Sequence, residues 1–112
     1  MTKRRSKRKA TAAIEWTERA LSDLRAIDDY IAADDPVAAA RWVARLIAKA
    51  EDAAELPLAG RVVPEKARAD IREVFLRTYR IVYRVREGGI LVLTVFEGHR
   101  LLPRGAAEIG DE

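Results

Sequence analysis

At 112 residues, with no cysteine and a single histidine, the chain suits one compact domain that buries a real core without staples. That composition excludes disulfide frameworks, thiol nucleophiles and Cys/His zinc sites, and it points to a reducing, cytoplasmic setting with no metal and no cofactor. The net charge of +3 conceals segregation: residues 1–9 carry six cations and no acid, residues 10–60 carry five basic against ten acidic side chains, residues 61–104 carry ten against five, and the tail adds three acids.

The opening Lys3-Arg4-Arg5-Ser6-Lys7-Arg8-Lys9 runs into Ala10 and Thr11 without the apolar core of a secretory signal. Residues 1–10 read as a disordered basic arm and are assigned no function. Ala12, Ile14 and Trp16 alternate with Thr11, Ala13 and Glu15, the pattern of a short entering strand. Thr17 can cap the helix that follows, in which Ala20, Leu21, Leu24, Ile27 and Ile31 form one apolar stripe. Asp34-Asp35-Pro36 supplies a break, an N-cap and a proline at the first helical position. A second helix then runs through Ala54, with Ala39, Val43, Leu46, Ile47, Ala50 and Ala54 inward, until Leu56-Pro57 stops it before Gly60.

Strands are expected at about Ala69 to Leu76, Tyr79 to Arg86 and Ile90 to Glu97. The last is apolar on both faces, which requires neighbours on both sides, and the Ala12 to Trp16 segment is available for the second side. The predicted architecture is α+β in the order β-α-α-β-β-β, with an N-terminal helical hairpin packed on one face of a small, mainly antiparallel four-stranded sheet. Residues 11–104 form the single domain and residues 105–112 an acidic flexible tail. Nothing in the sequence approaches a membrane span.

Glu87-Gly88-Gly89-Ile90 reads as a tight turn with Gly88-Gly89 as its two-residue loop. Glu87 then pairs with Ile90, Arg84 with Leu93 and Arg80 with Glu97. On that register Arg80, Arg84, Arg86, Glu97 and His99 share the face opposite Ile81, Tyr83 and Val85, which turn to the helices. The Arg77-Thr78 turn has no glycine, so a three-residue loop is favoured, which places Arg72 on the side of Arg84. Trp16 and Trp42 read as packing anchors rather than base-stacking platforms.

Leu56-Pro57-Leu58-Ala59-Gly60-Arg61, Ile71-Arg72-Glu73, Tyr79-Arg80-Ile81-Val82-Tyr83-Arg84 and Val95-Phe96-Glu97-Gly98-His99-Arg100, following a helical hairpin, resemble the RelE/ParE superfamily of bacterial type II toxins. The resemblance runs from about Ile14 to Pro103. It implies a toxin neutralised by a cognate antitoxin in a hetero-oligomer, with DNA gyrase as target in the ParE branch and messenger RNA on the ribosome in the RelE branch.

In the RNase branch the resemblance places Arg80 and His99 in the active site, with Glu65 as the nearest match for a loop carboxylate. Metal-free RNA cleavage needs such a base, acid and cation set. The long helical hairpin, the L-P-x-x-G-R turn and the Y-R-I-V-Y-R strand favour the ParE branch, in which catalysis by the protein itself is not expected. On that reading the target is bound by Arg72, Arg80, Arg84, Arg86, His99, Arg100 and Arg104. The antitoxin, a small, partly disordered protein with an acidic and apolar segment, lies over Leu91, Leu93 and Val95 or along the helix pair. A third reading is a non-toxic interaction or nucleic-acid-binding domain on the same fold.

Overall fold

The computed structural model describes residues 12–98; the basic arm, His99, Arg100, Arg104 and the acidic tail lie outside that range. Strand β1 (Ala13–Trp16) leads into helices α1 (Glu18–Ala32) and α2 (Pro36–Glu55). A single 3-10 turn at Pro57–Ala59 precedes β2 (Arg61–Val62), β3 (Ile71–Leu76), β4 (Tyr79–Arg86) and β5 (Gly89–Glu97). The sheet order is β1-β5-β4-β3-β2, with β1 parallel to β5 and the other pairs antiparallel. The α+β class and the placement of the first strand beside the last are as the sequence implied. The sheet has five strands rather than four, because two residues of the Gly60-Arg61 loop pair with β3.

Both helix starts follow from their caps. Thr17 accepts from Ala20 N at 3.0 Å and also donates its hydroxyl to Leu93 O at 3.0 Å, so one side chain caps α1 and fastens it to the sheet. Asp35 accepts from the amides of Val37 and Ala38, each at 3.1 Å, with Pro36 opening α2. Such caps contribute about 1 kcal/mol each. Further along α1, Asp23 accepts from Val95 N at 3.0 Å and from the Thr94 hydroxyl, tying the helix to β5 where the β4–β5 register shifts.

The helix-side core joins Ala20, Leu24, Leu46, Ala50, Ala53 and Ala54 to Ile81, Tyr83, Ile90, Val92 and Val95. The run of alanines lets the helix backbones sit close to the sheet. A second buried cluster, Val63, Ile71, Val82, Leu93 and Phe96, occupies the opposite face. Leu21, expected in the α1 stripe, is 41% exposed.

Two hairpin registers differ from expectation. Glu87-Gly88, not Gly88-Gly89, forms the β4–β5 loop, so Arg86 faces Gly89, Arg84 faces Leu91 and, past the shift, Arg80 faces Phe96. The two glycines do different work. Gly88 takes the positive φ of 79° that the turn requires, whereas a Cβ on Gly89 would stand 1.8 Å from Ala13 O, so the second glycine admits β1. Glu97 consequently pairs with Tyr79 and does not join Arg80. The Arg77-Thr78 loop has two residues, since Leu76 faces Tyr79 and Arg77 itself adopts φ 56°. This register pairs Arg72 with Tyr83 and sends it to the helix side, away from Arg84.

The L-P-x-x-G-R segment is held by that same pair. Tyr83 donates its hydroxyl to Pro57 O at 2.6 Å, and Arg72 donates to Ala69 O at 2.8 Å and to Leu58 O and Gly60 O at 3.0 Å each. Burial raises the Tyr83 pKa above its ordinary value, against a smaller opposing pull from Arg72. A Cβ on Gly60 would meet the Tyr83 hydroxyl at 2.2 Å. Gly60→Ala is therefore expected to destabilise by about 1–3 kcal/mol. Tyr83→Phe should cost about 1 kcal/mol through the lost hydrogen bond. In urea melts the double variant should cost less than the sum, because removing the hydroxyl makes room for the methyl; strict additivity would contradict this packing.

Candidate functional site

The face of the sheet turned away from the helices is organised around a buried carboxylate. Glu73, in the middle of β3, lies directly opposite Arg61 of β2 and diagonal to Arg80 of β4. Cross-strand and diagonal neighbours on one face lie within reach of long side chains, so this spacing brings both guanidinium groups to one carboxylate. Arg61 contacts Glu73 Oε2 through Nε at 2.8 Å and Nη2 at 2.6 Å. Arg80 donates to Glu73 Oε1 through Nε at 2.8 Å and through Nη2. Glu73 is 1% exposed and Arg80 5%.

Glu65, on the loop between β2 and β3, reaches the outer edge of Arg80 with contacts of 3.3 and 3.5 Å. The Arg80 guanidinium carbon also stands 5.0 Å from the Phe96 ring centroid and 5.9 Å from that of Phe75; Arg61 lies 5.5 Å from Phe75. Burial opposes the charge on Arg80, but the hydrogen bonds from Glu65 and Glu73 and their negative charge outweigh it. The Arg80 pKa is therefore raised above its ordinary value.

The remaining arginines of this face are also paired. Arg84 approaches Asp70 at 3.7 Å, and Arg68 binds the same carboxylate at 2.7 and 3.0 Å. The Arg68 hydrogen bond, opposed by partial burial, holds the Asp70 carboxyl below the usual carboxylate range. Arg86 meets Glu15 of β1 at 2.5 Å.

The sequence placed Arg80, Arg84 and Arg86 on one face, and the structure does so. It alters their character, because Arg80 is enclosed and Arg84 and Arg86 face carboxylates. Glu65 does come to Arg80, as the RNase resemblance implied, while His99 falls outside the described residues with Arg100 and Arg104. Arg72 is a clamp on the loop carbonyls rather than part of this face. The proposed strip of Leu91, Leu93 and Val95 does not exist as one surface: Leu93 and Val95 are buried in the two clusters on opposite faces, and Leu91 is half-buried.

Glu73 was missed as a site residue. Its signal was a lone acid in the alternating strand Ile71-Arg72-Glu73-Val74-Phe75, at a position whose neighbours two residues away are large and apolar. Among the described residues no group of His, Cys, Asp and Glu could hold a metal ion, and no helix is long and apolar enough to cross a membrane.

The family model for the ParE toxin of the type II toxin–antitoxin system parDE matches residues 14–102. The chain is 41% identical to Toxin RelE2 of Caulobacter vibrioides over 91 residues, spanning 80% of this chain and 99% of that protein. It is also 41% identical to the putative toxin Y4kP of Sinorhizobium fredii over 93 residues, 81% of this chain and 93% of the relative. Among solved structures, the fold is similar to a chain of the chromosomal ParDE system of P. aeruginosa, with a TM-score of 0.64 at 22% identity, covering 78% and 96% of the two chains. An E. coli RelE toxin mutant in the free state gives a TM-score of 0.53 at 23% identity, covering 91% and 93%.

The Arg61–Glu73–Arg80 arrangement makes a stability prediction. Glu73→Leu strands the Arg80 guanidinium in a buried setting and should cost about 3–5 kcal/mol, whereas Glu73→Leu combined with Arg80→Met should recover most of it. Chemical denaturation of the two variants checks this, and equal losses in both would show that Glu73 does not act through Arg80.

Proposed function

The chain belongs to the ParE toxin family of type II toxin–antitoxin systems, and on that premise we propose that it is a ParE-like poison of DNA gyrase. Membership makes it the toxin component, with a cognate antitoxin as its partner. The poisoning would be a binding event that traps gyrase on cleaved DNA, so its strength is an affinity for that state rather than a chemical rate.

The observation that carries this choice is the enclosure of Arg80. Metal-free RNA cleavage needs a cation free to meet the developing charge of the phosphorane, and here that guanidinium is already engaged by Glu73 and Glu65 between two aromatic rings. A target-binding surface makes no such demand. Arg84 and Arg86 at the C-terminal end of the central strand β4, together with the segment from His99 to Arg104, would form it. The alternative, ribosome-dependent cleavage of messenger RNA, draws support from Glu65 standing 3.3 Å from Arg80.

For the antitoxin, burial of Leu93 and Val95 moves the weight to the helix pair. Leu21, Tyr30 and Val37 are exposed there. A groove of about 560 Å³ between α1 and the end of the β4–β5 pair where β4 begins adds Ile27, Tyr79 and Phe96. An acidic, apolar antitoxin segment would cover these residues. The toxin domain would span residues 11–104, flanked by the arm and the acidic tail.

Purified toxin incubated with gyrase and plasmid should leave linear DNA on denaturation. Arg84→Glu with Arg86→Glu should reduce it about tenfold or more, in keeping with loss of two interfacial charges. No linear DNA from folded wild-type protein would instead support ribosome-dependent cleavage, with Arg80 and His99 as its residues.

A further inference from the structure

Helix α2 carries a ridge of cations that the sheet face does not use. Arg41, Arg45 and Lys49 follow at four-residue intervals, each about 6 Å further along the axis. The β3–β4 turn brings Arg77 beside them. A notch of about 380 Å³ lies between α2 and this turn, lined by Arg45, Ala48, Lys49, Asp52, Leu76 and Arg77. Three of its four charged groups are cations.

Two features set this ridge apart from the arginines of the sheet. Among the described residues Arg41, Lys49 and Arg77 hold no carboxylate partner, and Arg45 rests 5.6 Å from the Trp42 ring centroid. Arg61, Arg68, Arg80, Arg84 and Arg86 are all paired with acids. Arg77 also occupies a hairpin position at φ 56°, where glycine would fit without steric cost, so the fold places a long cation at that point against backbone preference.

We propose that this ridge and notch bind the phosphate backbone of duplex DNA. Evenly spaced cations on a rigid helix match a regular polyanion, and each phosphate they neutralise releases counterions. Single strands are held by stacking bases on open aromatic rings, and the two rings nearest the ridge are not open: Trp42 and Tyr79 are half-buried edge to face, 5.8 Å apart. An acidic peptide would need apolar anchoring, for which the notch has only Ala48 and Leu76. The inference is independent of the choice between gyrase and ribosome, since it concerns DNA alone.

The test uses the full-length protein and a short fluorescent duplex of mixed sequence, with anisotropy followed across a salt series. Lys49→Glu and Arg77→Glu should each lower affinity about tenfold beyond Arg25→Glu, which makes the same charge change on an exposed position of α1. Each should also flatten the slope of log K against log salt by about one unit. Arg77→Gly keeps the turn while removing the charge, and should show the same direction if Arg77→Glu fails to fold. Equal losses in all three charge reversals, with the slope unchanged, would overturn the proposal in favour of the basic arm. Tighter binding to a single strand than to the duplex, or loss of antitoxin binding with DNA affinity intact, would overturn it as well.

Discussion

The open face of this sheet is built around Glu73, a carboxylate with almost no solvent contact held between two guanidinium groups. An ionised carboxylate at 1% exposure is tolerable only if its charge is matched and its lone pairs are filled. Arg61 and Arg80 do both from opposite sides. This requirement reaches into the backbone. Arg61 can deliver its guanidinium only if residues 61 and 62 lie alongside β3, so the fifth strand and the buried pair are two aspects of one arrangement. The glycine before Arg61 serves the same end by letting the chain pass close to the Tyr83 hydroxyl.

The consequence for function is that cationic residues on a strand do not amount to a cationic surface. Read as a pattern, Tyr79-Arg80-Ile81-Val82-Tyr83-Arg84-Val85-Arg86 exposes three arginines; in the fold each has an acid within 4 Å. Arg80 in particular is engaged on two sides, by Glu73 beneath the sheet surface and by Glu65 at its outer edge. Fold alone therefore does not decide activity, because whether an arginine on such a sheet is open to an anion depends on the carboxylates beside it.

Much of the fold was legible because its signals are local. Thr17 and Asp35-Pro36 mark helix starts through hydrogen bonds within four residues, and the helix stripes and strand alternation follow directly from periodicity. The two-sided apolar character of β5 even fixed which strand sits beside it. What escaped was register, which depends on contacts between distant segments. Gly88 and Gly89 look alike in sequence, yet one answers to a dihedral angle and the other to β1, some seventy-five residues earlier in the chain. Arg77 likewise concealed a two-residue turn, because a non-glycine residue there adopts the positive φ that such a loop needs.

Those one-residue shifts matter chemically because side chains alternate across a strand. Moving the β4–β5 loop back by one residue would bring Val95 opposite Arg80, and the extra residue at the register shift beside Val82 makes it Phe96, so a ring stands where Glu97 was expected. Shortening the β3–β4 loop moves Arg72 from the open face to the loop carbonyls under Tyr83. The candidate site therefore loses two polar members and gains a buried acid and two aromatic rings, and its chemistry changes from an exposed charged cluster to an enclosed one. In a sheet this small, the identity of the site is set less by which residues the chain contains than by how two turns and one register shift count their residues.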